Sequence, residues 1–162
     1  RVHPTMIPLG HPLAAIGGPF NAVFVDGSAS GPLMFYGRGA GDYPTASSLV
    51  SDIINALSEK EHKRYHFATD NAQGVPVSKD WETAFYIRTL AADRPGVLEK
   101  VANVFTRHSV SLKSVVQEGY GQNTVPLVLV THKTSGRACM AAIEDMKGMD
   151  FISVASIIRV ED

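Results

Sequence analysis

The stretch TAFYIRTLAADRPGVLEKVANVF, Thr83 to Phe105, decides the fold. Its first part, to Ala91, is a strand-prone run carrying Phe85, Ile87 and Leu90. Asp93-Arg94-Pro95-Gly96 then breaks the run. After it, Val97, Leu98, Val101, Val104 and Phe105 recur at helical spacing and predict one buried stripe. Pro95 is expected at the first helical position, where a missing N–H costs nothing. Beyond this helix, Val110, Leu112, Ser114 and Val116 alternate with polar neighbours, as on a half-covered strand. Gly119 to Asn123 reads as a turn and Val125 to Thr131 as a strand, with Pro126 at its start or at a bulge. Ser135 to Met146 reads as a helix with Ala138, Ala142, Ile143 and Met146 on one side, and Gly148 is expected to close it in the left-handed conformation. Phe151 to Val160 is the last strand. The order β-α-β-β-α-β predicts two helices on one face of an antiparallel sheet, an α+β arrangement.

Working outward, residues 1–58 are rich in glycine, proline and small residues. Asn21–Val25 and Pro32–Tyr36 are short β-prone runs separated by Asp26-Gly27 and a serine-rich turn, which reads as a hairpin. Pro44-Thr45 opens a helix whose Ala46, Leu49, Val50, Ile53, Ile54 and Leu57 form one apolar face, with Thr45 as the expected N-cap. Residues 59–80 begin with Glu59-Lys60-Glu61-His62-Lys63-Arg64 and read as a polar linker between the two apolar blocks.

The 162 residues are 44% hydrophobic and 19% charged, with a formal net charge of −1. That balance suits a globular chain and leaves no electrostatic footprint for nucleic acid or an anionic membrane surface. No apolar run approaches the roughly 18–20 residues that span a bilayer, and Arg1-Val2-His3-Pro4 lacks a signal-peptide layout. A cytoplasmic location fits these features. Cys139 is the single cysteine and reads as a buried structural thiol. The six histidines form no recognised metal spacing. His62 and His66, four apart, read as solvated linker residues, so no metal site is expected.

Two places suggest chemistry. Gly37-Arg38-Gly39-Ala40-Gly41 sits between a strand and a helix, where glycines let a backbone approach an anion. Asp42 stands where a dinucleotide fingerprint would have its third glycine, so a plain tight turn competes with a cofactor contact. At Asp93–Leu98 a strand hands over to a helix whose start presents unpaired amides to a carboxylate, beside an aspartate that can take an ammonium group. A free amino acid carries both charges. An ordinary aspartate N-cap is the competing reading.

The exact residues carry two resemblances. His3-Pro4-Thr5, His11-Pro12-Leu13-Ala14, Asn21-Ala22-Val23-Phe24 and Gly39-Ala40-Gly41-Asp42-Tyr43-Pro44-Thr45-Ala46-Ser47 together resemble the end of the homoserine dehydrogenase catalytic region, over residues 1–58. The resemblance implies that these strands complete a substrate and dimerisation domain, that the helix returns to a nucleotide-binding domain, and that Gly39 and Gly41 contact NAD(P). The family's catalytic residues are expected upstream, so none is assigned here and the chain alone is expected to be inactive. Asp93-Arg94-Pro95-Gly96-Val97-Leu98, with Val110-Ser111-Leu112-Lys113-Ser114-Val115, resembles an ACT domain over about residues 83–160. This resemblance implies a ferredoxin-like effector domain at residues 81–162 that works in a homo-oligomer. Its effector contacts would be Asp93, Gly96, Val97 and Leu98, with Ser111 and Leu112 opposite, and L-threonine is the expected effector. An oligomerisation module with no effector is the alternative.

Overall fold

The computed structural model describes residues 2–58, 80–119 and 123–161. These fall into two compact units, the described residues of Arg1–Ile7 with Val77–Asp162, and those of Pro8–Pro76. The expected linker lies almost wholly outside the described residues, as do His62 and His66.

The larger unit contains β4 (Glu82–Ala92), α2 (Val97–Arg107), β5 (Leu112–Gln117), β6 (Thr124–Thr131), the two-residue β7 (Thr134–Ser135), α3 (Gly136–Lys147) and β8 (Ile152–Val160). The long strands hydrogen-bond in the order β8-β4-β6-β5, each pair antiparallel. This is the β-α-β-β-α-β arrangement the periodicity predicts. One face is dry. Phe85, Ile87 and Ala91 of β4 and Leu127 and Leu129 of β6 pack with Val101, Val104 and Phe105 of α2 and with Cys139, Ala142, Ile143 and Met146 of α3. Burial pushes the Cys139 thiol up to about 12, which makes it a packing group rather than a nucleophile. Two threonines enter this core with their hydroxyls paired: Thr89 Oγ1 donates to the Leu127 carbonyl at 2.8 Å, and Thr131 Oγ1 accepts from the Phe85 amide at 3.0 Å.

Several local details differ from the sequence reading. Helix α2 starts at Val97 with Gly96 as its N-cap, so Pro95 lies ahead of the helix in the turn. The cause is Gly96 at φ +86°, a left-handed residue that interrupts the helix for any continuation from Pro95. Leu98 leaves the expected stripe and is 47% exposed. Strand β5 does not keep Val110, Leu112, Ser114 and Val116 on one face, because a register shift between Leu112 and Ser114 turns the strand over. Leu112 stays against the core, and Val116 becomes exposed. Gly148 ends α3 in the right-handed conformation, at φ −74°. Pro126 pairs with Leu90 near the start of β6, as expected.

Residues 1–7, read from sequence with the first segment, contribute β1 (Thr5–Met6) to this larger unit. It runs parallel to the end of β8, Thr5 opposite Arg159 and Met6 opposite Val160, and the Glu161 amide donates to the Met6 carbonyl at 2.9 Å.

The smaller unit holds a 3-10 turn (Pro12–Ala15), a hairpin of β2 (Phe20–Gly27) and β3 (Gly31–Arg38), and α1 (Asp42–Leu57). The hairpin is paired in full register from Phe20 with Arg38 to Gly27 with Gly31. Helix α1 begins at Asp42, three residues ahead of Thr45, with Gly41 as N-cap. Pro44 therefore occupies the first turn, where no N–H is needed. Thr45 is already helical and donates its hydroxyl back to the Gly41 carbonyl at 2.8 Å. No residue of α1 is buried.

Candidate functional site

At the end of β4 the chain makes a tight turn before α2. The Arg94 amide donates to the Ala92 carbonyl at 3.1 Å, and the Val97 amide to the Arg94 carbonyl at 3.4 Å. The Gly96 carbonyl then receives the Lys100 amide at 3.1 Å, the first bond of the helix. The Leu98 and Glu99 amides are thus first-turn donors with no intrahelical acceptor. Gly96 has no side chain with which to cap them. Asp93 is exposed and is not the cap. Its Oδ1 accepts from Gln117 Nε2 at 3.0 Å, across from the end of β5. The guanidinium of Arg94 and the ammonium of Lys100 both lie over the Phe151 ring, at 6.0 and 5.3 Å from its centroid. The corner therefore combines open amides, two cations held on one ring, and one carboxylate steadied from the sheet edge. A small zwitterion matches that set.

Asp93, Gly96, Val97 and Leu98 are brought together here, with Val97 buried beneath the turn. Ser111 and Leu112 are not. Strand β5 runs in the same direction as β4, because both are antiparallel to β6. Leu112 is thus level with Thr131, at one end of the sheet, while Gln117 is level with Leu127 and Thr89, near the corner. The Ser111 carbonyl is taken by the His132 amide at 2.9 Å. Gln117 is the residue that sequence reasoning missed. The bulge that sets the orientation of β5 leaves no mark in the hydrophobic pattern.

The second candidate is the turn between β3 and α1. Gly41 stands at φ +123°, and Gly39 is held so close to Asn21 that an added Cβ would collide with its side-chain amide. Both glycines thus have local reasons to be glycine. The turn also borders a cleft of about 310 Å³ lined by Arg38, Gly39, Pro44, Thr45, Ser48, Leu49 and Asp52. The Arg38 guanidinium lies 5.0 Å over the Phe20 ring, which stacks on Tyr36 at 4.8 Å. A cofactor edge fits this arrangement. The Gly39 amide donates to the Pro19 carbonyl at 3.0 Å and the Gly41 carbonyl receives Thr45, so what the turn offers a cofactor is the uncapped start of α1 with a cation beside it.

Among the described residues no group of histidine, cysteine, aspartate or glutamate could hold a metal ion. Among the same residues no helix is long and apolar enough to cross a membrane.

The chain's likenesses to relatives run along nearly its whole length. Residues 1–54 match the homoserine dehydrogenase family model. A homoserine dehydrogenase from Synechocystis is 40% identical over 99% of this chain, which spans 39% of that protein. One from Corynebacterium glutamicum is 35% identical, again over 99% of the chain and 37% of the relative. Among solved structures, the homoserine dehydrogenase of Thiobacillus denitrificans superposes with a TM-score of 0.79 at 35% identity, covering 100% of this chain and 38% of its own. The enzyme of S. aureus gives 0.53 at 27%, covering 98% and 36%. The chain thus spans less than two fifths of the length of these relatives. Its likeness is thus to the C-terminal part of the homoserine dehydrogenases, a family of oxidoreductases.

Proposed function

We propose that this chain is the regulatory end of an enzyme that interconverts L-homoserine and L-aspartate 4-semialdehyde with NAD(P), and that residues 81–162 form an ACT domain sensing L-threonine. The observation that carries the sensing role is the corner itself, where open amides of Leu98 and Glu99 stand beside a carboxylate oriented by Gln117. The effector's carboxylate sits on those amides and its ammonium on Asp93. Two copies meeting antiparallel along the exposed edge of β5 bring the start of one strand opposite the end of the other. Ser111 and Leu112 of one copy then approach the Asp93 corner of its mate. This homo-oligomer is part of the proposal.

The oxidoreductase role rests on the family and on the exposed face of α1. Leu49, Ile53, Ile54 and Leu57 are 57–78% exposed, as expected of a helix whose partner belongs to the nucleotide-binding domain that the resemblance implies. When bound, NAD(P) supplies the hydride acceptor or donor. Gly39 and Gly41 would lie along it through their backbone, and the acid–base groups of the reaction come from elsewhere in the enzyme. The 162 residues alone are therefore inactive as a dehydrogenase.

Feedback requires that threonine bind the less active arrangement more tightly, and coupling of about 1–3 kcal/mol is typical. Calorimetry of this chain with L-threonine, repeated on Asp93→Ala and Gln117→Ala, tests the site. Saturable binding weakened in both variants is expected, and affinity unchanged by Asp93→Ala removes Asp93 from it. If threonine leaves both heat and unfolding temperature untouched while light scattering still shows oligomers, the oligomerisation module is the correct reading.

A further inference from the structure

A second cleft lies at the start of β4, at the opposite end of that strand from the Asp93 turn. It measures about 320 Å³ and is lined by Asp80, Trp81, Gly136, Arg137, Met140 and Arg159. Arg159 stands opposite Phe85 on the core side of β8 and is half-buried. Its guanidinium carbon lies 4.9 Å from the centroid of Trp81 and 5.6 Å from that of Phe85. Ring faces attract the charge but use none of the in-plane N–H groups. Among the described residues no carboxylate pairs with this guanidinium, and its buried Nε has no hydrogen-bond partner. A cation taken partly out of water without a counter-charge is costly. The cleft's own carboxylate is engaged at α3. Asp80 accepts from Ser135 Oγ at 2.6 Å and from the Arg137 amide at 3.2 Å, so that helix end is filled and forms no part of the site. The Arg137 side chain, exposed at the rim, adds a second guanidinium to the lining.

We propose that this cleft binds a small oxyanion, the carboxylate or phosphate group of a soluble ligand, on the guanidinium edge of Arg159 with Arg137 at the rim. Contact with ring faces uses up none of the guanidinium N–H groups, and two parallel N–H groups match two oxygens of such an anion. The site is separate from the amino-acid corner and stands or falls without it.

Trp81 is the only tryptophan in the chain, so its fluorescence reports from the cleft wall. The test is a titration of the 162-residue chain with inorganic phosphate, and separately with acetate, at constant ionic strength set by chloride. A saturable change is expected. The anion with the lower midpoint identifies the preferred group. Arg159→Gln should raise that midpoint at least about tenfold, the loss of one charged hydrogen bond. Arg137→Gln should raise it about threefold, and Asp93→Ala should leave it unchanged. A response no different from chloride alone overturns the proposal, as does a wild-type midpoint in Arg159→Gln. If that variant does not fold, Arg137→Gln decides, because its exposed position tolerates the change, and an unmoved midpoint there is equally fatal.

Discussion

Helices α1 and α2 carry the same kind of apolar stripe, and only one of them is covered. In α2, Val97, Val101, Val104 and Phe105 are buried beneath α3 and the sheet. In α1, Leu49, Val50, Ile53 and Ile54 also recur at helical spacing and are each more than half exposed. Amphipathic spacing reports what a helix is built to bury; it does not report whether the partner is present in the same stretch of chain. The larger unit closes a core from its own residues, while the smaller one offers a hairpin and a helix face to something else.

The sharpest way to break this contrast is a pair of alanine variants. Ile143→Ala in α3, at a site with 0% exposure, should cost about 2–5 kcal/mol in denaturant unfolding. Ile53→Ala in α1, at 57% exposure, should stay within about 0.5 kcal/mol in this chain. Equal losses would mean the α1 face is covered after all. In a full-length relative the α1 substitution should become the costly one.

Thr131→Val probes how the closed core treats polar groups. It keeps the side-chain shape but removes the acceptor for the Phe85 amide, and a buried N–H left alone costs about 1–3 kcal/mol. Full stability in this variant would show that the amide finds another acceptor. Gly96→Ala is milder. Its added Cβ meets nothing within 4 Å, so the φ of +86° alone sets the loss, at about 1–2 kcal/mol in thermal or denaturant melts. A melt unchanged from wild type would mean the turn relaxes out of the left-handed conformation.

The smallest effect links the ends of α2 and α3. Asp145 Oδ2 receives His108 Nε2 at 2.9 Å and lies 3.4 Å from Arg107. The His108 hydrogen bond, with the charges of His108 and Arg107, holds the Asp145 carboxyl below its ordinary value. A carboxyl lowered in the folded state stabilises above its unfolded pKa and loses that contribution as pH falls through the folded value. His108→Ala should therefore flatten the acid limb of the stability curve below about pH 4. A carboxyl titration that is identical in the variant would remove His108 as the cause.

Most of this architecture was legible in the residues. The β-α-β-β-α-β order followed from the spacing of Phe85 and Ile87, Val101 and Phe105, and Ala142 and Met146, because core faces must repeat at the period of their element. The homoserine dehydrogenase likeness was legible in the run from His3 to Ser47. Local backbone choices were less so. Gly96 rather than Pro95 sets the start of α2, since a left-handed residue ends one conformation whatever the proline prefers. The bulge after Leu112 turned Val116 outward, because an inserted residue reverses a two-residue alternation without altering composition. Of the corner residues, Asp93 could be read from its place beside a helix start. Its partner Gln117 could not, since the bulge after Leu112 decides which face of β5 it takes.

The short strand β1 bears on how this protein can be cut. A designer lifting out residues 81–162 as a self-contained cassette would leave behind Thr5 and Met6, which close the outer edge of the sheet beside Arg159 and Val160. The graft would then display bare main-chain donors and acceptors there, an invitation to stick to its neighbours. A faithful transplant must carry residues 1–7 along, spliced back by a synthetic connector, because the sheet is stitched from segments far apart in sequence.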